Sequence, residues 1–578
     1  MILQALKEYY DRKAADPDSG IAPPGFEWRA IPFLIVIDQN GNFLNLEDTR
    51  EKADRQNIAK TYLVPRSEPR CGSLSYKTTF LLWDHIGYVL RHPDDERAKK
   101  QHRTWISALK ELPAELAIEQ NVNALLKFYE ADGIEKVKAH ANWNECVRTP
   151  SCNITFKIAG DILPVPCSEV VEKFIKQNQI QSKETLGNPG DSRIIGRCLV
   201  TGNIDEIVRV HSDTRIGKDA KKLLGFQRNS GYDSYGKEQG YNAPVGKSAE
   251  SAYTTALNTL LKSPSRMLIG DAVTVCWSER DSELERQISE FFNEPQKDDP
   301  DRNVRAVHAL FDSIKTGAYL SPESETNKFF VLGLSPNVAR IAVRFWIVDT
   351  VAGMATKIKR HFDDLRIVHG PRDKDVFSLF RLLISTATQG KSENIPPNLA
   401  GDTMRAILEE LPYPQTLLQA AVRRIRAEHD ITYIRAAMIK ACINRLSRYK
   451  NPTIEEELKM SLDESNVSVG YRLGRLFAVL ERIQQEANPG INTTIRDRFY
   501  GAASGTPVAV FGNLMRLKNH HLSKLTNAGR RVYFEKLLGS IIDGVDAKIA
   551  FPPHLSLEEQ GRFAIGYYHQ NQHFFAKK

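Results

Sequence analysis

"IPFLIVIDQNGNFLNL" (31–46) is the stretch on which the fold class turns. An apolar, β-rich run meets Asn40-Gly41, and a second short run follows; this is the pattern of a β-hairpin. Further strand candidates lie at SCNITFKI (151–158), RCLVTG (197–202), DAVTVCW (271–277) and KFFVLGL (328–334). Helical patterns separate them, including 103–130 and AESAYTTALNTLLK (249–262), and MILQALKEYYDRKAAD at the start reads as an amphipathic helix. This order predicts α+β with long insertions, not a repeating βαβ series. No fixed-period repeat is present.

From about 375 onward strand signals vanish. In NVSVGYRLGRLFAVLERIQQEANPG (466–490), Leu473, Leu476, Phe477, Leu480 and Ile483 follow helical spacing, and Asn488-Pro489-Gly490 stops the run. Arg472, Arg475 and Arg482 lie off that apolar stripe. Thr506-Pro507 predicts an N-cap and first-turn proline, a further helix is expected near 528–543, and Ser556 with Glu559 predicts a capping box before the last helix. The expected organisation is a mixed α+β region over 1–375, a helical connector over 376–459, and an all-α C-terminal bundle of four or five helices with a basic outer face over 460–578.

The chain has 578 residues, 41% of them hydrophobic and 26% charged, as in ordinary globular proteins. No apolar run approaches the ~20 residues of a membrane helix, and no signal layout opens the chain, so the cytoplasm is the expected location. Seven cysteines at long spacings fit a reducing compartment; Cys146, Cys152 and Cys167 lack zinc-site spacing and read as buried apolar residues. The net charge of +8 permits nucleic-acid binding without requiring it. From Met460 onward 15 Lys and Arg face 10 Asp and Glu, which puts +5 of that surplus in the last fifth of the chain.

GYNAPVGKS (240–248) invites comparison with a phosphate-binding loop, but it has five residues where the pattern has four. Pro244 also removes one of the amide donors such a loop uses. Ser248 is expected to cap the following helix. HPDDE (92–96) and HFDDLR (361–366) combine His with carboxylates, as a metal-dependent nuclease would, yet neither has a convincing partner segment. His569 and His573 sit at i, i+4 without an evident third ligand, and no Gly-x-Ser-x-Gly occurs. No catalytic residue, metal site or cofactor is expected.

The longer stretch FQRNSGYDSYGKEQGYNAPVG (226–246) combines glycines for close backbone approach, amides for base edges, tyrosines for stacking, and Arg228 and Lys237 for phosphate. That composition suits a loop facing nucleic acid, and equally a structural loop whose tyrosines are core.

SYGKEQGYNAP followed by AYTTALNTLL resembles the large subunit of the type I-C CRISPR surveillance complex, Cascade. FFVLGLSPNVARIAVRFW (329–346) is similar to that family's Leu-Gly-Leu-Ser-Pro-Asn…Arg-Phe-Trp signature, with RCLVTGNIDEIVRVH (197–211) and GDAVTVCW (270–277) in the right order around it. VPRSEPRCGSLSYKTTFLLWDHIGYVL (64–90) resembles another family block but carries Cys71-Gly72 in place of Thr-Ser. The resemblance covers nearly the whole chain. It implies a non-catalytic subunit that recognises the protospacer-adjacent motif in target double-stranded DNA, aids R-loop formation and recruits a helicase–nuclease. The implied partners are the guide RNA ribonucleoprotein, the backbone and guide-handle-binding subunits, and a small subunit made from an internal start at Met460 or Met438. Motif position and composition together nominate Arg70, Ser73, Lys77, Arg228, Asn229, Tyr235, Lys237, Gln239 and Asn242 for DNA, and Arg472, Arg475 and Arg482 for nucleic-acid backbone. Two other readings are a mainly architectural subunit that binds the guide RNA handle and its neighbours, and a nuclease built on His92 or His361.

Overall fold

The computed structural model describes all residues other than 54–55, 71–73, 185–193, 218, 228–234, 271, 294–303, 338–339, 372, 546–550 and 576–578. The chain forms two compact units: Met1–Lys262 with Pro336–Ala342, and Ser263–Ser335 with Val343–Lys578.

The first unit is built on the expected hairpin. Strands β1 (Phe33–Ile37) and β2 (Phe43–Asp48) flank a turn in which Asp38 accepts from the amides of Asn40 (2.9 Å) and Asn42 (2.8 Å). Gly41 adopts φ +84, where a Cβ would also meet the amide nitrogen of Phe128 at 2.6 Å. With β3 (Trp83–His85) and β4 (Asn153–Ile158) they form a sheet of order β2-β1-β4-β3, in which β1 and β4 run parallel. Phe33, Ile35, Ile154 and Phe156 are buried in one core with Trp105 and Phe128. Those two rings come from helices α2 (Glu96–Lys110) and α3 (Gln120–Glu130). The continuous helical pattern at 103–130 is broken at Pro113 into separate helices, because proline removes a backbone donor. The N-terminal helix α1 (Ile2–Ala14) packs on α4 (Lys247–Leu260). RCLVTG is a strand only as far as Arg197; Cys198–Asn203 is a tight turn closed by the Cys198 amide on Asn203 O at 2.8 Å.

The second unit holds most of a sheet of order β5-β6-β7-β8, with β5 (Arg266–Ile269), β6 (Ala272–Ser278) and β7 (Lys328–Pro336) antiparallel and β8 (Ile341–Thr350) beside β7; the residues Pro336–Ala342 at the β7–β8 connection are grouped with the first unit. Gly333, in the Leu-Gly-Leu-Ser-Pro-Asn block, leaves room for the ring of Phe345: a Cβ there would lie 2.3 Å from it. Trp346 stacks on Phe330 at 5.6 Å with Trp277 alongside, so these motif aromatics form one cluster on the sheet.

Helix α5 (Val351–Leu365) follows, capped by Thr350. Among the described residues, everything beyond it is helical or irregular, including α6 (Gln415–Glu428) and α7 (Tyr433–Lys450). The last five helices are α8 (Val469–Ala487), α9 (Ile495–Gly505), α10 (Val508–Lys524), α11 (Ala528–Asp543) and α12 (Leu557–Phe575). α8 and α12 approach backbone to backbone. A Cβ at Gly474 would lie 2.0 Å from Phe563 O, and one at Gly566 would lie 2.0 Å from Tyr471 O. Ser556 accepts from the Glu559 amide (3.3 Å), half of the expected capping box. The Glu559 carboxylate instead caps α8, accepting from Gly470 N (2.6 Å) and Ser468 Oγ (3.0 Å). No described helix is long and apolar enough to cross a membrane.

Candidate nucleic-acid interface

Residues 235–246 form a short loop whose first three residues are exposed and whose remainder is half-buried or buried on a tightly bonded base. Gly240 sits directly under the chain at 208–209: its amide donates to Arg209 O at 3.0 Å, and a Cβ would meet the carbonyl oxygens of Val208 and Arg209 at 2.5 and 2.7 Å. Gln239 accepts from the Arg209 guanidinium (2.6 Å) and donates to Phe226 O (3.2 Å). Asn242 donates to Lys237 O (2.9 Å) and Gln239 O (3.1 Å). These two amides hold the loop, and Tyr235 and Lys237 stand exposed ahead of them. Tyr235 is 99% exposed and adopts φ +52, followed by Gly236 at φ +69. An exposed aromatic residue in the left-handed region costs roughly 1–2 kcal/mol that no burial offsets.

The loop's far end is pinned by Asp205. Its carboxylate accepts from Ser248 N (3.0 Å) and Ser248 Oγ (2.5 Å), and a Cβ on Gly246 would collide with it at 2.4 Å. The expected cap is therefore corrected: Gly246 is the N-cap of α4, and Asp205 supplies the acceptor from 43 residues away. A carboxylate already occupies the helix N-terminus where a phosphate-binding loop would hold phosphate. Arg209 and Asp205, which position this loop, lie in the block 197–211, but nothing in their local spacing marks them as its supports.

The earlier block divides. Arg70 clamps the fully buried Asp84, with Nη1 on Oδ1 at 2.8 Å and Nη2 on Oδ2, between the rings of Phe80 (3.7 Å) and Tyr88 (4.1 Å). Asp84 also accepts from Thr79 Oγ1 and the amides of Phe80 and His85, so its carboxylate is held from several sides. Lys77 stands exposed at the end of the turn Ser75–Lys77, which Tyr88 anchors through Ser75 O at 2.9 Å. Ser73, Arg228 and Asn229 lie outside the described residues.

The C-terminal arginines are not one outer row. Arg472 donates to Asn466 O (2.8 Å), and Arg482 pairs with Glu486 (2.8 Å) and stacks over Phe575 (5.2 Å). The outer-face placement is corrected for Arg475. It is only 3% exposed and donates to Gln570 Oε1 at 3.1 Å, because α12 covers that flank of α8; burial lowers its pKa.

His361 is buried against Tyr413, its Nδ1 bonded to the phenol, and burial holds its pKa at about 3. Asp364 nearby pairs with Arg448 (2.8 Å) and Arg445 (3.4 Å). His92 meets Trp143 edge-on. His569 is buried against Tyr471 OH (2.9 Å) with its pKa also near 3, while His573 is exposed. Cys146 and Cys152 are buried with their sulfurs 3.6 Å apart, and Cys167 donates to Leu63 O. Among the described residues no group of three or more His, Cys, Asp or Glu is placed to hold a metal ion.

These motif blocks, carried by an α+β region and a helical C-terminal part, define a CRISPR-associated protein. The family model described as CRISPR-associated protein (Cas_Csd1) matches residues 6–575. The chain belongs to that family, the large subunits of type I-C Cascade. A comparison with curated proteins finds no match.

Proposed function

We propose that this chain recognises the protospacer-adjacent motif in target duplex DNA for its Cascade, aids R-loop formation and recruits the helicase–nuclease, without itself catalysing a reaction. The observation that carries the reading is Tyr235: an aromatic ring held in solvent at a strained backbone position, on a base locked by Gln239 and Asn242. Strain of this kind is retained where the surroundings impose it, often at ligand-contacting sites. A ring so placed can wedge into or stack on an opening base step. Lys237 beside it supplies charge to phosphate. Gln239 and Asn242 form the loop's frame, so base-edge reading through them requires exchange of those bonds.

The test is binding of the assembled complex to duplexes carrying a library of flanking sequences. Tyr235→Ala is expected to weaken binding and flatten the preference among flanks, and Lys237→Ala to weaken all flanks alike. An unchanged preference for Tyr235→Ala contradicts the reading.

The internal-start product belongs to the same proposal. Met460 lies exposed ahead of α8, whereas Met438 is buried within α7; both starts keep α8–α12, but a start at Met460 falls between helices and one at Met438 would cut α7.

A further inference from the structure

We infer that the outer face of α2, together with the turn Ser75–Lys77, is a second DNA-binding surface that follows the phosphate backbone of the duplex without reading sequence. This rests on the reading of the chain as a duplex-DNA-binding subunit. Helix α2 buries Ala98, Trp105 and Leu109. Lys99, Lys100, Arg103 and Lys110 are all exposed on the opposite side, at spacings that put them on one helical face, and Arg97 is exposed beside them.

The acidic residues of the segment are already engaged. Asp95 caps the helix through the Ala98 amide (2.7 Å), Glu96 pairs with Lys99 (3.0 Å), and Glu111 accepts from Ser107 Oγ (2.8 Å). Among the described residues Arg97, Lys100, Arg103, Lys110 and Lys77 make no ion pair. Lys100 lies over the ring of Tyr76 at 5.8 Å, which joins the turn to the helix and brings Lys77 onto the same surface.

Arg97 to Lys110 spans about 20 Å of helix, the length of about six phosphates along one strand. The helix face presents no exposed aromatic ring, so the bases of a single strand would have nothing to stack on there, whereas a duplex backbone needs only spaced positive charge.

The test compares assembled complexes with wild-type chain, with Lys100→Gln/Arg103→Gln/Lys110→Gln, and with the charge-keeping Lys100→Arg/Arg103→Lys/Lys110→Arg. Binding to motif-bearing and motif-scrambled duplexes is measured across a salt series. The neutral variant is expected to bind both duplexes more weakly by the same factor. Its log–log salt slope should be shallower by about 0.9 for each phosphate it no longer neutralises, up to about 2.7. The charge-keeping variant should retain the wild-type slope. An unchanged slope in the neutral variant overturns the inference, as does a defect confined to guide-RNA content. Absence of motif preference in the wild-type complex would instead count against the proposed function, and the slope would still report on α2.

Discussion

Tyr235 stands in solvent on a frame that does not need it. Its replacement by alanine should leave the melting temperature unchanged while removing roughly 1–3 kcal/mol of binding to a motif-bearing duplex. Gln239→Ala should behave in the opposite order: it removes the acceptor of Arg209 and the donor to Phe226 O, so amide exchange across 235–242 should accelerate. Arg70→Ala would strand the carboxylate of Asp84 in the core, and the expected loss is about 3–5 kcal/mol of stability; Lys77→Ala, at an exposed site, should cost none. At this scale composition distinguished little. Arg70 and Lys77 look alike in the sequence, and only the distant Asp84, Phe80 and Tyr88 separate a clamp from a free cation. Asp205 capping α4 is likewise invisible from local spacing.

Among elements, the hairpin at 33–48 was fully legible, since Asp38, Asn40 and Gly41 form the turn from within their own few residues. The C-terminal helices were legible too, through apolar spacing, but the expected Thr506 cap is corrected: Pro507 is the N-cap of α10, and Thr506 Oγ1 donates back to Ala502 O (3.3 Å). What their spacing did not carry was the second buried side of α8. Gly470 and Gly474 admit the α12 backbone there, and this close approach buries Arg475. Gly474→Ala should therefore force the two helices apart, costing roughly 1–3 kcal/mol in denaturant unfolding. The buried His361 and His569 add a pH dependence. Their folded pKa values lie near 3, well below the ordinary histidine value, so between about pH 6.5 and 3 the unfolded chain binds more protons. Their contribution to stability is complete above pH 6.5 and falls as pH drops through that window. His361→Gln should flatten the acid side of the stability profile, measured by thermal melts from pH 7 to 4.

For the whole molecule, the family match over 6–575 accords with the resemblance carried by the Ser-Tyr-Gly and Leu-Gly-Leu-Ser-Pro-Asn blocks, and Gly333 under Phe345 gives part of the second block a packing reason. Replacing Met460 with a non-start codon should abolish a short C-terminal product, seen by immunoblot of the C-terminus; persistence of that product would rule out this start. Such a product lacks α6 and α7, whose Leu418, Ile439 and Ile443 lie against Gly561 of α12, so it should expose an apolar face and self-associate unless a neighbouring subunit covers it. In the working complex the 235–246 loop should face the DNA that flanks the target. A photo-crosslinking residue at position 235 of the assembled complex, given a target duplex, tests it most directly. Crosslinks are expected to the DNA flanking the target on the motif side, abolished when that flank is scrambled. Crosslinks only to guide RNA or neighbouring subunits, indifferent to the flank, would contradict it.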